Sequence, residues 1–347
     1  MGAIIISLSL TIYKEWHFAL SLYLYYGTYA LLISSIVFIF SGIFIFQASQ
    51  NIYIAISCFL LGYCVTNQSE DFIYKCMKLY VMAALFLGLY SVYINLGSFT
   101  ITDVYAFSVK NSSGVLLGTG IILNAFLLQK NSTTNDRFPV IIWSITLILL
   151  IICLLTFRCR TAIISVILSL LYLLYRLKVL RKIIQRPVFL LAIMIGLIVT
   201  FHFNFTPWEF IYDSLFSNKD TSNLDGITSG RLSTYKIGLD VFSQNSILGN
   251  AALGHKLPPI DNFIIGNLTY YGIIGALLMF PPYVYVWYMC MRGLFKNAPS
   301  NLYPFLSLFI ICMSSFTEGP YPFGPGTPVM CAWFLLGYWT KNNRYCV

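Results

Sequence analysis

The stretch LLTFRCRTAIISV (Leu154–Val166) joins two long apolar runs and carries Arg158 and Arg160 between them. The two runs cover about residues 139–157 and 161–180. Each approaches the ~20 apolar residues that a helix needs to cross a bilayer. We therefore expect two antiparallel membrane spans joined by a tight turn, with both guanidinium groups at one edge of the bilayer.

Composition extends this expectation to the whole chain, which has 347 residues, 58% of them hydrophobic and only 10% charged. A soluble domain carries about 25% charged residues. So few charges cannot coat a globule in water, which excludes a large soluble enzyme. None of the nine cysteines stands in a CxxC pair, so a zinc or redox site is not predicted. Much of the net charge of +9 lies in one short connection, which argues against nucleic acid as a partner.

Apolar runs recur along the chain with polar connections between most of them. They lie at about residues 29–46, 51–66, 72–96, 113–128, 139–157, 161–180, 187–203, 264–290, 302–316 and 328–340. Residues 2–26 are ambiguous, either a short extra span or an interfacial helix with Trp16 and a tyrosine cluster (Tyr23, Tyr25, Tyr26) at the headgroups. We predict an all-α, polytopic integral membrane protein, a single transmembrane domain over 1–347 with about 10–12 transmembrane helices.

Orientation follows from the connection RLKVLRKIIQR (176–186), which holds five basic residues and no acidic one. Lys/Arg-rich connections stay on the cytoplasmic side, so this segment is predicted to be cytoplasmic. Alternation then places the turn with Arg158 and Arg160 on the outer face, against the positive-inside rule. Two arginines there indicate either a functional anion site or internal ion pairs.

The long polar segment 204–263 falls on the same outer face, and loops of this length in compact proteins are usually functional. Within it, a stripe of apolar residues at spacings of three and four predicts a short amphipathic helix near 231–243. The stripe consists of Leu232, Tyr235, Leu239 and Phe242. The helix is expected to lie on the membrane or on the bundle of spans. Arg231 falls in its first turn, where the helix N-terminus favours anions; the alternative is an exposed arginine on a solvated face.

Three arginines converging at the outer edge of a bilayer suit one ligand chemistry. The planar guanidinium binds two oxygens of a phosphate and stays charged, so Arg158, Arg160 and Arg231 are candidates to hold a lipid-linked diphosphate. If the diphosphate is a leaving group, the same arginines stabilise the charge that develops on it. The sequence contains no P-loop, HExxH, GxGxxG or paired-aspartate motif, so neither a metal nor another cofactor is predicted.

Other polar residues near this face are candidates for proton transfer. His255 is either a proton acceptor or a plain loop histidine. Asp261 and Asn262 precede an apolar run, so they are either substrate contacts or the N-cap of the next span. Glu318, in a Pro/Gly-rich loop, either pairs with an arginine or orients an acceptor sugar.

Several segments in succession resemble the bacterial O-antigen polymerase and ligase superfamily, in particular its Wzy-type polymerases. They are NSSGVLLGTGIIL (111–123), FRCRTAIISV (157–166), TSGRLSTYKIGLDVFSQNSILGN (228–250), IDNFIIGNLTYYGIIGAL (260–277) and SFTEG (315–319). The resemblance covers about residues 110–325. Asp261 stands where the ligases carry the His of a His-Asn pair, which favours a polymerase over a ligase. A second departure is Tyr235, which stands where the family pattern has Trp.

The resemblance implies a large periplasmic loop with short amphipathic helices over 204–263, and an active site that faces the periplasm of the bacterial inner membrane. The implied reaction is metal-independent polymerisation of undecaprenyl-diphosphate-linked repeat units, with membrane lipids, a chain-length regulator and a flippase as further partners. The resemblance implies that Arg158 or Arg160, together with Arg231, binds the diphosphate. With the candidates from the residues themselves, the predicted catalytic residues are Arg158, Arg160, Arg231, His255, Asp261 and Glu318, and the predicted substrate-binding residues are Asn111, Tyr235, Lys236 and Asn262. The alternatives are a ligase that transfers glycan to lipid A core and, in another class, a lipid-linked oligosaccharide flippase. A flippase would need charges in the middle of its spans, which the apolar runs almost lack.

Overall fold

The computed structural model describes residues 16–41, 49–65, 70–94, 104–105, 108–132, 137–157, 159–178, 230–324 and 326–342. Their regular structure is helical apart from one short pair of antiparallel strands, β1 (Val104–Tyr105) and β2 (Ser108–Val109). The α-helices in chain order are α1 (Trp16–Ser41), α2 (Gln50–Cys64), α3 (Glu70–Ile94), α4 (Lys110–Asn131), α5 (Arg137–Phe157), α6 (Arg160–Arg176), α7 (Arg231–Gln244), α8 (Asn250–Leu253), α9 (Phe263–Lys296), α10 (Tyr303–Ser314) and α11 (Thr327–Asn342).

Five of the described helices contain stretches long and apolar enough to cross a membrane, which confirms the predicted class of helical membrane protein. These stretches are Ser21–Ile39, Asp71–Ile94, Asn111–Asn131, Phe138–Phe157 and Phe263–Lys296. Helices α2 and α10 are apolar but shorter. Every apolar run of the sequence coincides with a helix except 187–203, which lies outside the described residues. The total of 10–12 spans therefore stays a prediction.

The described part of the N-terminal segment, from Trp16 onward, belongs to the same continuous helix as the first apolar run. Residues 2–15 lie outside the described residues, so the choice between a short extra span and an interfacial helix there stays a prediction. The tyrosines of this helix do not share one environment. Tyr23 Oη lies 2.6 Å from Ser57 Oγ, and the Tyr26 side chain is only 8% exposed, whereas Tyr25 is 79% exposed. Tyr23 and Tyr26 therefore pack against α2, and the predicted position of the tyrosines at the headgroups stays a prediction.

The chain divides into two compact units. The first contains α1, α2 and α7–α11, and the second contains most of α3, together with α4–α6 and residues 297–303. The prediction of a single domain over 1–347 stays a prediction.

In the first unit, α2 and α11 cross with their backbones in direct contact. A Cβ atom added to Gly62 would lie 2.8 Å from the carbonyl carbon of Phe334, and one added to Gly337 would lie 2.8 Å from that of Phe59. Small residues that let helix backbones approach are the usual device of packing inside membranes, where lipid is as apolar as leucine. This crossing fixes α2 and α11 as a close-packed pair.

In the second unit, α4 packs on α5 and α6. Its buried face is apolar, with Leu117, Ile121 and Leu123 at most 1% exposed. Two polar residues, Thr119 and Asn124, are buried with it. Asn124 donates from Nδ2 to the carbonyl oxygen of Trp143 in α5 at 3.0 Å, a bond that ties α4 to α5 where hydrocarbon supplies no partner.

Candidate functional site

Helix α7 forms over Arg231–Gln244, which confirms the amphipathic helix predicted near 231–243. Its rotation differs from the predicted stripe. Gly238 and Val241 are its buried residues, whereas Leu232 is 42% exposed and Leu239 is 47% exposed. Leu232 and Leu239 of the predicted stripe therefore do not face the packed side of α7, and a contact of these two residues with the membrane stays a prediction. Gly238 explains the rotation, because it turns toward the start of α9.

The contact between α7 and α9 has no room for a larger residue at Gly238. A Cβ atom there would lie 2.7 Å from Ile260 Cδ1 and 2.7 Å from Thr269 Oγ1. Of the two surfaces left open by the sequence, the membrane or the spans, α7 packs on a span. Arg231, at its first turn, is thereby held beside the N-terminal end of α9.

Helix α9 is broken at Gly272, whose φ of 63° and ψ of −164° are not helical. The break releases the backbone N–H groups that follow it. Ile273 N–H donates to the Ser246 carbonyl oxygen at 2.9 Å, and Ile274 N–H donates to that of Ile247 at 3.2 Å. The turn that follows α7 thus supplies the carbonyl acceptors that the break in α9 requires. Irregular backbone is tolerated in a membrane span when its polar groups find such partners within the protein.

The Tyr235 hydroxyl joins three segments of the first unit. Its Oη lies 2.9 Å from the carbonyl oxygen of Asp261 and 3.1 Å from that of Phe316. Asp261 lies two residues before the first residue of α9, and Phe316 begins the turn that carries Glu318. One side chain of α7 therefore ties together the elements that carry the predicted acidic residues.

Arg231, Asp261 and Glu318 lie close enough to act on the pKa of Tyr235. Burial raises the pKa of this phenol; Arg231 and a hydrogen bond with Asn262 oppose the rise, while the charges of Asp261 and Glu318 add to it. The phenol therefore remains protonated at neutral pH and acts as a hydrogen-bond donor rather than a base. The structure thus brings together five predicted site residues, which we call the α7–α9 cluster: Arg231, Tyr235, Asp261, Asn262 and Glu318.

Asn262 is the N-cap of α9, one of the two roles that the sequence left open. Its Oδ1 accepts hydrogen bonds from the backbone N–H groups of Ile264 and Ile265, both at 2.9 Å. Its Nδ2 donates to the carbonyl oxygen of Phe316 at 3.1 Å. The side chain therefore caps the helix and also anchors the Glu318 turn, and its predicted contact with substrate stays a prediction.

The arginine-bearing turn belongs to the second unit, where it packs on the start of α4. Cys159 is 3% exposed, and its Sγ lies 3.6 Å from Asn111 Oδ1. A Cβ atom added to Gly114 would lie 2.6 Å from that sulfur. Arg160 begins α6 and is half-buried, while Arg158 lies outside the described residues. Asn111 and Arg160 are thus held at one turn, and their convergence with Arg231 stays a prediction.

The remaining predicted site residues are less closely held. His255 is exposed, and its backbone N–H and carbonyl oxygen bond to the side chain of Asn250, both at 2.9 Å. Lys236 is exposed on α7. These hydrogen bonds join His255 to the turn after α8 rather than to Tyr235. The part of the predicted periplasmic loop from 204 to 229 lies outside the described residues.

The sequence analysis did not predict the backbone contact between Gly249 and Gly272, nor the packing of Cys159 against Gly114. In both pairs a glycine stands where another segment touches its backbone. The glycines in SILGN and YYGIIG were a visible signal for the first pair, since an isolated glycine in an apolar run often marks a close backbone approach. Nothing in the sequence indicated which segment approached.

Among the described residues, no group of three or more His, Cys, Asp or Glu side chains could hold a metal ion. No protein-family model matches the chain, and comparison with curated proteins finds no match. The fold and the α7–α9 cluster therefore carry the functional argument.

Proposed function

We propose that the protein is a membrane glycosyltransferase that polymerises undecaprenyl-diphosphate-linked oligosaccharide repeat units on the periplasmic face of the bacterial inner membrane. The observation that carries the proposal is the α7–α9 cluster, in which one arginine and two carboxylates lie around a half-buried tyrosine at the end of a membrane span. An anion-binding group and proton acceptors at the edge of an apolar bundle suit a lipid-linked, charged donor.

The chemistry divides between the two kinds of charged residue. The hydroxyl of the acceptor sugar attacks the anomeric carbon of the donor glycan, and the bond from that carbon to the diphosphate oxygen breaks. Arg231 is assigned to the diphosphate, because its guanidinium group can bind two oxygens of the leaving group and stabilise the charge on them. Asp261 and Glu318 are the carboxylates beside it that can accept the hydroxyl proton.

Arg160 and Arg158 are assigned to the same donor from the turn before α6. Arg160 stands in the first turn of α6, where helix N–H groups also attract anions. The packing of Cys159 against Gly114 and Asn111 supports this assignment for Arg160, because it fixes the residue that directly precedes Arg160. A transporter would not need this arrangement at a span edge.

The test is the banding pattern of surface polysaccharide in a strain that lacks the protein. A polymerase defect leaves lipopolysaccharide capped with single repeat units, and complementation restores the long ladder. A ligase defect instead leaves lipid A core without glycan while long lipid-linked chains accumulate. The second pattern, or an unchanged ladder, would refute the proposal.

A further inference from the structure

Helix α9 folds back on itself at Gly272, so that its two parts run side by side. The rings of Phe263 and Tyr283 stack with their centroids 4.6 Å apart. In a continuous helix the twenty residues between these positions would hold them about 30 Å apart. Ser315 joins the same two residues, because its carbonyl oxygen accepts from the Phe263 N–H group at 2.9 Å and its Oγ lies 2.9 Å from Tyr283 Oη. The break at Gly272 is therefore the tip of a helical hairpin.

The part of α9 after the break is long enough to cross the membrane by itself. Residues 273–296 are about 36 Å long at 1.5 Å per residue, and the hydrocarbon core of a bilayer is about 30 Å thick. Arg292 and Lys296 are exposed near the end of this part, so we expect the cytoplasmic boundary of the membrane there. Gly272 stands twenty residues before Arg292, which puts the tip of the hairpin at the opposite boundary.

The hairpin brings the N-terminal end of the span segment down beside its middle. Phe263 lies beside Tyr283, which is eleven residues, or about 16 Å, from the tip. The α7–α9 cluster lies at the same level, because Asp261 stands two residues before Phe263 and the Glu318 turn begins directly after Ser315. The cluster is therefore well below the outer boundary of the membrane.

The lengths of the next two helices give the same depth independently. Helix α10 has 12 residues and is about 18 Å long, and α11 has 16 residues and is about 24 Å long. Both are shorter than the hydrocarbon core. Helix α10 begins seven residues after Lys296, and α11 ends with Lys341 in its last turn, so both reach the cytoplasmic boundary. The turn that joins them and carries Glu318 must then lie below the opposite boundary.

Helix α7 runs along the folded-back part of α9, from the tip of the hairpin to the cluster. The turn after α7 is bonded to the break, because the Ser246 carbonyl oxygen accepts from the Ile273 N–H group at 2.9 Å. Near the start of α7, Tyr235 Oη lies 2.9 Å from the carbonyl oxygen of Asp261. The side of α7 opposite the packed Gly238 carries a stripe of exposed polar residues at spacings of three, four and three: Ser233, Lys236, Asp240 and Ser243.

Polar groups at this depth require water. Lys236 and Asp240 are exposed and charged, and charged side chains are costly in hydrocarbon. Irregular backbone at membrane depth is tolerated only where it is buried in protein or lines a water-filled cavity. The Glu318 turn is not fully buried, since Phe316 at its start is 42% exposed. Both observations require water beside α7.

We propose that the polar stripe of α7 and the α7–α9 cluster line a water-filled depression, which opens at the tip of the hairpin on the side opposite Arg292. The depression admits the hydrated, anionic head of a ligand to about the middle of the membrane, where Arg231 is the cation that receives it. Leu232 and Leu239, which flank the stripe, are the surface of α7 left for lipid. The depression stands on geometry alone, and only the identity of the anionic head as a diphosphate rests on the proposed function.

The first experiment measures the access of water, with the full chain in vesicles of phosphatidylethanolamine and phosphatidylglycerol. An azide-bearing residue replaces Lys236, Val284 or Lys256, and a charged alkyne is present on both sides of the bilayer. Val284 is the matched control, because it is 63% exposed and neighbours Tyr283, at the level of the cluster. We expect position 236 to react as fast as the exposed loop position 256, and position 284 at least about tenfold more slowly, since a charged reagent does not enter hydrocarbon. Reaction at 236 no faster than at 284 would overturn the proposal.

The second experiment measures depth, as the distance between spin labels that replace Lys236 and Lys296. The fold-back puts these positions about 20 Å apart along the axis of α9, whereas a straight α9 would put them about 50 Å apart. A separation near the larger value would overturn the proposal even if position 236 reacts, because the cluster would then stand outside the membrane. Neither measurement involves glycan synthesis, so failure here is distinguishable from failure of the proposed function.

Discussion

Gly249 and Gly272 meet backbone to backbone. A Cβ atom added to Gly249 would lie 2.6 Å from the amide nitrogen of Gly272, and one added to Gly272 would lie 2.6 Å from that of Gly249. Both glycines have positive φ angles, 58° and 63°. This contact holds the turn after α7 against the break in α9. It thereby helps to fix the position of α7, and of Arg231 at its start, relative to the end of a membrane span.

Gly272→Ala should therefore destabilise the protein strongly, because it adds a clash to an unfavourable backbone conformation. Gly254→Ala is the control for a positive φ alone, since Gly254 has φ 66° and ψ 23° with open space around its missing Cβ, whereas Gly272 has a ψ of −164° as well as the contact. The control should cost about 1–2 kcal/mol, the ordinary penalty of the left-handed region. Thermal unfolding of the purified protein in detergent measures both. Equal losses would mean that the contact with Gly249 contributes nothing.

Gly114→Ala should reduce polysaccharide chain length, because its Cβ would collide with Cys159 and move the turn that carries Arg160. The exchange variant Gly114→Ala with Cys159→Gly removes the opposing side chain and should recover much of the length. Membrane abundance is measured in parallel. If the exchange variant is as defective as Gly114→Ala at equal abundance, the steric explanation is wrong.

Tyr235→Phe should lower the free energy of unfolding by about 1–2 kcal/mol, since it removes the hydroxyl that bonds to the carbonyl oxygens of Asp261 and Phe316. It should also shorten the glycan chains by loosening α7 from the Glu318 turn. Tyr270→Phe is the control, because that hydroxyl makes a longer bond of 3.3 Å to the carbonyl oxygen of Pro258. If Tyr235→Phe gives the same distribution of glycan chain lengths as Tyr270→Phe, the Tyr235 hydroxyl has no role in holding α7 to the Glu318 turn for activity.

Asn262→Ala should cost about 1 kcal/mol through loss of the N-cap of α9, whereas Asn262→Ser should retain most of the cap. Both variants lose the amide that donates to Phe316. Comparing the two separates capping from anchoring of the Glu318 turn. If Ser restores stability but not chain length, the anchor matters for activity; if Ala loses no stability, the assigned cap does not contribute.

Much of the fold could be predicted, because apolar runs and helix length report directly on membrane spans. Arg231 and α7 were located for the same reason, since the apolar spacing of a short helix is a local signal. The rotation of α7 was not predictable, because it depends on Gly238 meeting Thr269, a contact between distant parts of the chain. The grouping of Tyr235 with Asp261 and Glu318 likewise depends on backbone carbonyls, which no residue pattern reveals.

The most direct test of the central claim is the reaction itself, followed with purified protein in vesicles that contain an undecaprenyl-diphosphate-linked repeat unit and a metal chelator. We predict that the unaltered protein forms lipid-linked glycans of many repeats, that Arg231→Ala forms almost none, and that Arg231→Lys recovers part of the activity, since a point charge cannot bind two oxygens as the guanidinium does. Lys256→Ala, at an exposed loop position, should be fully active. Unextended repeat units with the unaltered protein, or equal extension by Arg231→Ala, would contradict the account.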